Sequence, residues 1–351
     1  MYRPLKTKYK AVIIDVNRYF CINKAKREMS VEKIKEPIAA EMKEFEKYFR
    51  KQLKTPIPLL DVITNYILRR KGKQMRPMLV FLSARLHAPL NEATYIAATL
   101  IELLHTATLV HDDVVDETYQ RRGLFSVNAL WNTKIAVLVG DYFLSRGLLT
   151  ALENNETNIL RIVSSAVKEM SEGELLQIEK ARKLDITEEI YYEIIRKKTA
   201  TLIAACTQAG AYSAGANETE LAAMKSFGEN LGIAFQIRDD LFDFEKNGFL
   251  DKPTGNDLKE KKLTLPLIYV LNQASASKNR EIRSTIRRYH KNEKKISTII
   301  QFVIDNGGLE YAREQMTHYS NKAIESLTIY PDSPSKNSLI QLINYNINRK
   351  K

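Results

Sequence analysis

Cysteine is nearly absent, with only Cys21 and Cys206 in 351 residues. Two thiols cannot build a disulfide framework, so a reducing cytoplasm is the expected setting. Glycine (13) and proline (10) are scarce for the length, which argues against a sandwich or barrel with many tight turns. No uninterrupted apolar run reaches the roughly 18–20 residues of a membrane span. The nearest, residues 96–110, is broken by Glu102 and His105. The basic start holds a short apolar stretch at 11–14 that ends at Asp15 without a small-residue cleavage site, so it does not read as a signal peptide.

What is present is ordinary globular composition, 44% hydrophobic and 27% charged, with a formal net charge of +12. That charge invites a nucleic-acid reading, but much of it sits at the ends. Residues 1–27 carry eight Lys/Arg against Asp15 alone, and Arg349, Lys350 and Lys351 close the chain, leaving about +2 for the body. Basic tails are commonly solvated tails, and no zinc-finger spacing, RNP-like strand or recognition helix accompanies them. No nucleic-acid partner is expected.

Residues 1–28 form a basic N-terminal extension without amphipathic helical spacing. They read either as a disordered arm or as a stretch ahead of a true start at Met29. Residues 29–351 read as a single all-helical domain, because period-3.6 apolar spacing dominates and two-residue alternation is missing. Long helical stretches fall near 91–117, 127–152, 157–184, 187–214 and 218–246. Breaks fall at Lys71-Gly72, Asn154-Asn155, 215–217, Asn247-Gly248, 253–255 and Gly307-Gly308. The expected fold is all-α and larger than a four-helix bundle.

The most informative segment is the greasy run 100–111, which ends by presenting Asp112, Asp113 and Asp116 before a predicted turn over 117–123. Asp112 and Asp116 stand one turn apart on one helix face. Carboxylates near a helix C-terminus oppose the macrodipole. A solvated acidic cap would explain one such cluster. The spacing recurs, however, as Asp239, Asp240 and Asp243 at the end of a second apolar helix. Two identical triads suit Mg²⁺, a hard cation that binds few carboxylates and shares its shell with water and phosphate oxygens. Cations gather nearby: Lys73 and Arg76 before a helix, Arg121 and Arg122 after the first triad, Lys252, Lys259, Lys261 and Lys262 after the second, and Lys197-Lys198-Thr199 inside an apolar stretch. Together they describe two anion sites, one bridged through metal and one held directly by Lys/Arg.

From about residue 35 onward the sequence resembles the trans-isoprenyl diphosphate synthases, the polyprenyl synthetases. The resemblance rests on Gly72-Lys73-x-x-Arg76-Pro77, Asp112–Asp116 with Arg121-Arg122, Lys198-Thr199, Gly232-x-x-Phe235-Gln236-x-x-Asp239-Asp240-x-x-Asp243, and Gly255-Asn-Asp-Leu-Lys259. It implies an isoprenoid synthase-type helical bundle around a deep central cavity, normally a homodimer. It also implies that Asp112, Asp116, Asp239 and Asp243 hold Mg²⁺ on an allylic diphosphate. Asp113, Asp240 and Lys198 would complete the catalytic set. Arg121, Lys198, Thr199, Gln236, Lys252 and Lys262 would contact the allylic substrate, and Lys73, Arg76, His105 and Arg122 would hold isopentenyl diphosphate. One departure stands out: Lys261 occupies a position where the family usually has glycine.

Leu104, Ala107 and Thr108 lie one to two turns before Asp112 and should line the cavity beneath the metal site. Short-chain members of the family floor the pocket with an aromatic near this point, whereas Ala107 and Thr108 are small. The expectation is therefore a long-chain enzyme, heptaprenyl to decaprenyl, feeding quinone side chains. The basic ends suggest peripheral contact with anionic membrane during product release. Three other readings explain less. An HD-type phosphohydrolase leaves the second triad unused, a terpene cyclase has no need of the Lys73/Arg76 site, and a non-catalytic partner subunit would typically have lost one triad.

Overall fold

The computed structural model describes residues 31–69, 73–121, 124–245 and 255–349. The expectations for residues 1–28 lie outside the described residues. A short helix α1 (Val31–Lys35) passes through a 3₁₀ turn (Glu36–Ile38) into α2 (Ala39–Gln52), followed by α3 (Pro58–Arg69), α4 (Met75–Ala84) and α5 (Glu92–Val115). Then come α6 (Val127–Trp131), α7 (Thr133–Glu153), α8 (Thr157–Lys183), α9 (Glu188–Ile195), a π-helical segment (Arg196–Ala200), α10 (Thr201–Ser213) and α11 (Glu218–Phe244). The chain finishes with α12 (Asn256–Lys259), α13 (Leu265–Gln273), α14 (Ala276–Tyr289), α15 (Glu293–Asp305), α16 (Gly308–Ser326) and α17 (Pro334–Asn348). The fold is all-α, as expected. Among the described residues the only extended pairing is a two-residue antiparallel ladder, Gln120–Arg121 with Leu124–Phe125. It lies where the sequence predicted a simple turn.

Two stretches expected to be continuous are interrupted. Asn132, at φ 74°, separates α6 from α7, and its side chain caps α7 by accepting from Ile135 N. Within the expected 187–214 helix, the π-helical segment carries Arg196, Lys197, Lys198 and Thr199. Such wide turns inside α-helices are frequent at functional sites.

Helix α10 is the ruler of the molecule. Both long helices beside it open with capping boxes, Asn91/Thr94 on α5 and Asn217/Glu220 on α11. At the lower end of α10, Thr94 Oγ1 lies 2.8 Å from Ser213 Oγ, and Asn91 Nδ2 donates to Ser213 O at 2.6 Å. Glu102, further along α5, is close enough to influence the Cys206 thiol, so α5 runs antiparallel to α10. Helix α11 does the same: Thr207 Oγ1 donates to Met224 O at 2.7 Å, Gly228 faces Ala204 one turn on, and Gly232 faces Ala200 a turn beyond that.

The core falls into two clusters. One gathers α4, α5, α7, α10 and the first half of α11 around Phe81, Leu100, Phe143 and Phe227. The other gathers α9, the end of α11 and α13–α16 around Ile237, Leu241, Leu267 and Ile300. By length and composition α5 and α7 each match a membrane span. Most of α5 is buried in the core, whereas less than half of α7 is, leaving Leu138, Leu149 and Leu152 exposed along one face.

Candidate active site

The register along α10 brings the two triads to one end of the bundle. Asp112 lies 18 residues beyond Thr94 and Arg196 lies 17 residues before Ser213, each about 26 Å along its helix at 1.5 Å per residue. Asp112 is therefore level with the π-helical segment. On the other side, Tyr191 Oη donates to Asp240 Oδ2 at 2.7 Å, fixing the second triad to within roughly a turn of the same height. Thr199 Oγ1 donates to Gln236 Oε1 (2.8 Å), and Gln236 Nε2 donates to Asp240 Oδ1 (2.8 Å). The wide turn and the second triad thus form one hydrogen-bonded unit. Lys198 Nζ meets Glu174 Oε2 of α8 at 2.5 Å.

Two glycines make this packing possible. A methyl group added at Gly232 would lie 2.4 Å from Ala200 Cα, and one at Gly173 would lie 2.8 Å from both Lys197 Cβ and Lys198 N. Only the absence of a side chain lets α8 and α11 close on the segment bearing Lys198 and Thr199.

The acidic residues differ in their surroundings. In the first triad Asp112 and Asp116 are exposed at the end of α5 and Asp113 is buried. In the second, both Asp240 oxygens accept hydrogen bonds from Tyr191 and Gln236. Burial and the neighbouring Asp257 charge nevertheless push its carboxyl up to about 8. Asp243 accepts from two backbone donors, Asn256 N at 3.0 Å and Asp257 N at 2.8 Å, holding the start of α12 against the end of α11. Asp239 is half-buried and paired with Arg349, whose guanidinium also stacks on Phe235, 4.1 Å from the ring centre. Asp257 received no role from the sequence, although it lies within the quoted 255–259 motif. It joins this acidic pocket, and burial and Asp243 raise its carboxyl to about 6, against the pull of Lys262 and Lys198.

The donor set fits a divalent cation. Hard oxygen ligands gather at this end of the bundle, and at Asp240 and Asp257 burial and neighbouring acidic charge oppose ionisation, a condition that added positive charge relieves. Among the described residues no three carboxylate, histidine or thiol groups already converge as a finished cage. Mg²⁺ keeps waters and takes much of its shell from substrate phosphate. Asp112 and Asp116 from one side and Asp239 from the other would hold it. Asp243 could share in this only through oxygens that already accept from the backbone.

Of the residues expected to hold isopentenyl diphosphate, Arg76 lies on α4, His105 on α5 and Lys73 just ahead of α4. Arg76 and Glu102 both lie close enough to act on Cys206, whose thiol burial pushes up to about 12. Val80 packs its backbone on Gly210, so α4 runs parallel to α10. His105 follows Glu102 by three residues on α5, placing it within one turn of the height of Arg76. Lys73 Nζ donates to Tyr345 Oη of α17 at 2.5 Å. Tyr345 and Arg349, one turn apart at the end of the chain, therefore reach Lys73 and Asp239 respectively. Sequence reasoning missed both residues, as no motif marks them. Lys262 is drawn toward Glu260, 2.5 Å away. Leu104 and Ala107 are buried and Thr108 is partly so. Arg122 and Lys252 lie outside the described residues, and of Arg121 only the backbone is described.

Lys261, standing where the resemblance leads one to expect glycine, has φ 61°. It is the left-handed residue of a Schellman closure: Lys261 N donates to Leu258 O (3.1 Å) and Lys262 N to Asp257 O (2.8 Å).

Comparison with known proteins bears on this arrangement. The polyprenyl synthetase family matches residues 57–303. The octaprenyl diphosphate synthase of Escherichia coli (strain K12) is 35% identical over 322 residues, covering 92% of this chain and 99% of that one. The crystal structure of a polyprenyl synthase from Caulobacter crescentus CB15, complexed with calcium and isoprenyl diphosphate, superposes with a TM-score of 0.83 at 30% identity, over 93% of this chain and 100% of that one. A geranylgeranyl pyrophosphate synthase from Bacteroides thetaiotaomicron is 40% identical with a TM-score of 0.77, over 91% and 99% of the two chains.

Proposed function

The chain belongs to the polyprenyl synthetase family and is a prenyltransferase, and from that premise we propose that it condenses isopentenyl diphosphate with an allylic diphosphate, farnesyl or geranyl, to a long-chain all-trans polyprenyl diphosphate for a quinone side chain. The observation that carries the reading is that Asp112 stands level with the π-helical segment, whose Thr199 is hydrogen-bonded through Gln236 to Asp240 of the second triad.

Bound Mg²⁺ would offset the charge that grows on the leaving diphosphate as the allylic C–O bond breaks. Lys198 and Thr199, fixed by the π-helical segment, bind the same diphosphate, and Gln236 and Tyr191 keep Asp240 oriented beside it. Lys73, Arg76 and His105 orient the isopentenyl diphosphate so that its double bond captures the allylic cation. The proton lost from the condensed product passes to the released diphosphate. No protein nucleophile is needed. Apolar walls of α5 below Asp112 exclude water from the cation.

Small Ala107 and Thr108 support a long product, as does the octaprenyl relative. A shorter product is the second reading, favoured by the 40% identity to a geranylgeranyl pyrophosphate synthase. The proposal includes a cytoplasmic homodimer, supported by the exposed Leu138, Leu149 and Leu152 of α7, and peripheral membrane contact when the product leaves.

The test is a product assay with labelled isopentenyl diphosphate and farnesyl diphosphate, in Mg²⁺ or EDTA, resolved by chain length. A metal-dependent ladder ending at seven to ten isoprene units is expected. A ladder stopping at four would establish the shorter reading, and no elongation with any primer would remove the catalytic one.

A further inference from the structure

The near-neutral charge of the body conceals an uneven distribution. Residues 276–295 carry eight Lys/Arg against Glu281 and Glu293. This stretch is α14, the turn after it and the first residues of α15. Arg280, Arg287, Arg288, Lys291, Lys294 and Lys295 are all exposed. None of the six pairs with a carboxylate among the described residues. Arg280 and Arg287 lie two turns apart on one face of α14, and the rest follow around the turn. At their centre the Tyr289 ring is 44% exposed and carries the Lys295 ammonium 3.3 Å from its centre. A shallow depression of about 370 Å³ is lined by Arg288, Tyr289, His290, Lys291 and Asn292.

This corner is anchored to the catalytic end. Arg283 donates to Leu184 O and Arg287 to Lys183 O, fixing α14 to the end of α8, where Arg182 adds another exposed cation. His290 Nδ1 lies 2.7 Å from Lys259 O, and Lys259 pairs with Glu293 at 3.8 Å. Lys259 ends α12, the helix that Asp243 holds. The same end of the bundle exposes large apolar side chains: Val115 within the first triad and Tyr119 just after it, and Leu175 and Ile178 on α8 beside the wide turn.

The geometry points to a membrane-docking surface: the α14–α15 corner binds an anionic phospholipid bilayer, with Tyr289 at the headgroup level and the active-site end turned toward the lipid. Clustered cations beside exposed aromatic and aliphatic groups are what an interfacial surface offers to anionic headgroups. A nucleic acid would use the cations but not the apolar rim. The choice of lipid rests on the proposed function, whose product has a long apolar tail and an anionic head.

The test is vesicle co-sedimentation of the full chain at 50 and 500 mM salt, using phosphatidylcholine alone and phosphatidylcholine with a quarter phosphatidylglycerol. One variant combines Arg287→Gln, Arg288→Gln, Lys291→Gln and Lys294→Gln. A second removes equal charge from the N-terminal arm, as Lys6→Gln, Lys8→Gln, Lys10→Gln and Arg18→Gln. Each basic group near an anionic surface contributes several-fold, so the corner variant is expected to lose about a hundredfold in partitioning. The arm variant is expected to lose no more than about tenfold, and high salt to weaken wild type. Elongation of a soluble primer in the same samples should be unchanged. Equal loss in both variants, equal binding to neutral vesicles, or capture by tRNA in preference to anionic vesicles would each overturn the proposal. Absence of elongation even in wild type would remove the catalytic reading, and with it the reason for choosing lipid.

Discussion

Replacing Gly232 by alanine tests the close approach that builds the site. The added methyl would lie 2.4 Å from Ala200 Cα and 2.8 Å from Ala200 Cβ, against a normal carbon–carbon separation of about 3.5–4.0 Å. Neither neighbour is the end of a flexible side chain, so α11 and the wide turn must separate by about 1 Å. Helix propensity favours alanine by about 1 kcal/mol, while overpacking against backbone costs about 1–3 kcal/mol, leaving a net loss of up to about 2 kcal/mol. The same separation would stretch the Thr199–Gln236 hydrogen bond from 2.8 Å to about 3.8 Å, beyond useful length. The assay pairs urea unfolding with steady-state kinetics of elongation, using Gly147→Ala as control, where the nearest atom is the flexible Leu100 Cδ1 at 3.3 Å. The control should be neutral or stabilised, whereas Gly232→Ala should be less stable and lose at least about tenfold in kcat/KM. If Gly232→Ala matched the control in both, the reasoning that ties glycine to site geometry would fail.

Other consequences follow from the same contacts. Ala107→Phe should shorten the products, because a ring would fill the space beneath Asp112; an unchanged ladder would show that the tail runs elsewhere. The double variant Leu138→Glu, Leu149→Glu should be monomeric by light scattering, since both leucines lie on the exposed face of α7, and a persisting dimer would place the interface elsewhere. Arg349→Ala removes one partner of Asp239 and should strengthen Mn²⁺ binding to the substrate-free protein several-fold, read by electron paramagnetic resonance. Lys261→Gly should raise stability by up to about 1 kcal/mol, because a left-handed backbone strains lysine and not glycine. Chemical denaturation checks this, and a loss of stability would show that the lysine side chain itself holds the loop.

How much of this was legible depends on the kind of signal. The bounds of α5, α8 and α11 fall within two residues of those expected from apolar spacing, because long buried helices impose their period on many residues at once. The triads were legible because their repetition is independent of fold. The break at Asn132 and the wide turn at Arg196–Ala200 were not, since apolar helical spacing resumes on both sides of each and neither contains glycine or proline. Tyr191, Asp257, Tyr345 and Arg349 were missed because each acts through a partner distant in sequence, which single-chain periodicity cannot register. The basic corner was missed for an arithmetic reason: acidic residues elsewhere cancel it in the total.

These distant contacts explain why the loop after the second triad and the end of the chain are part of the site. Asp243 anchors α12 by two backbone N–H groups, and α12 closes on Lys261 in a conformation that lysine adopts only at a cost. Such strain persists only where the surroundings over-determine it, and here the determinants are Asp243 at the start of α12 and the Schellman hydrogen bonds at its end. At the opposite edge, Tyr345 in the last turn of α17 meets Lys73, and Arg349, just past the end of that helix, meets Asp239. This end of the chain therefore touches a residue of each proposed diphosphate site. A ligand that drew Lys73 away from Tyr345 would loosen the turn that carries Arg349, leaving Asp239 more available to a cation. If that link operates, Tyr345→Phe should alter Mn²⁺ binding in the same direction as Arg349→Ala though less strongly. An effect of Arg349→Ala with none from Tyr345→Phe would show the two contacts to be independent.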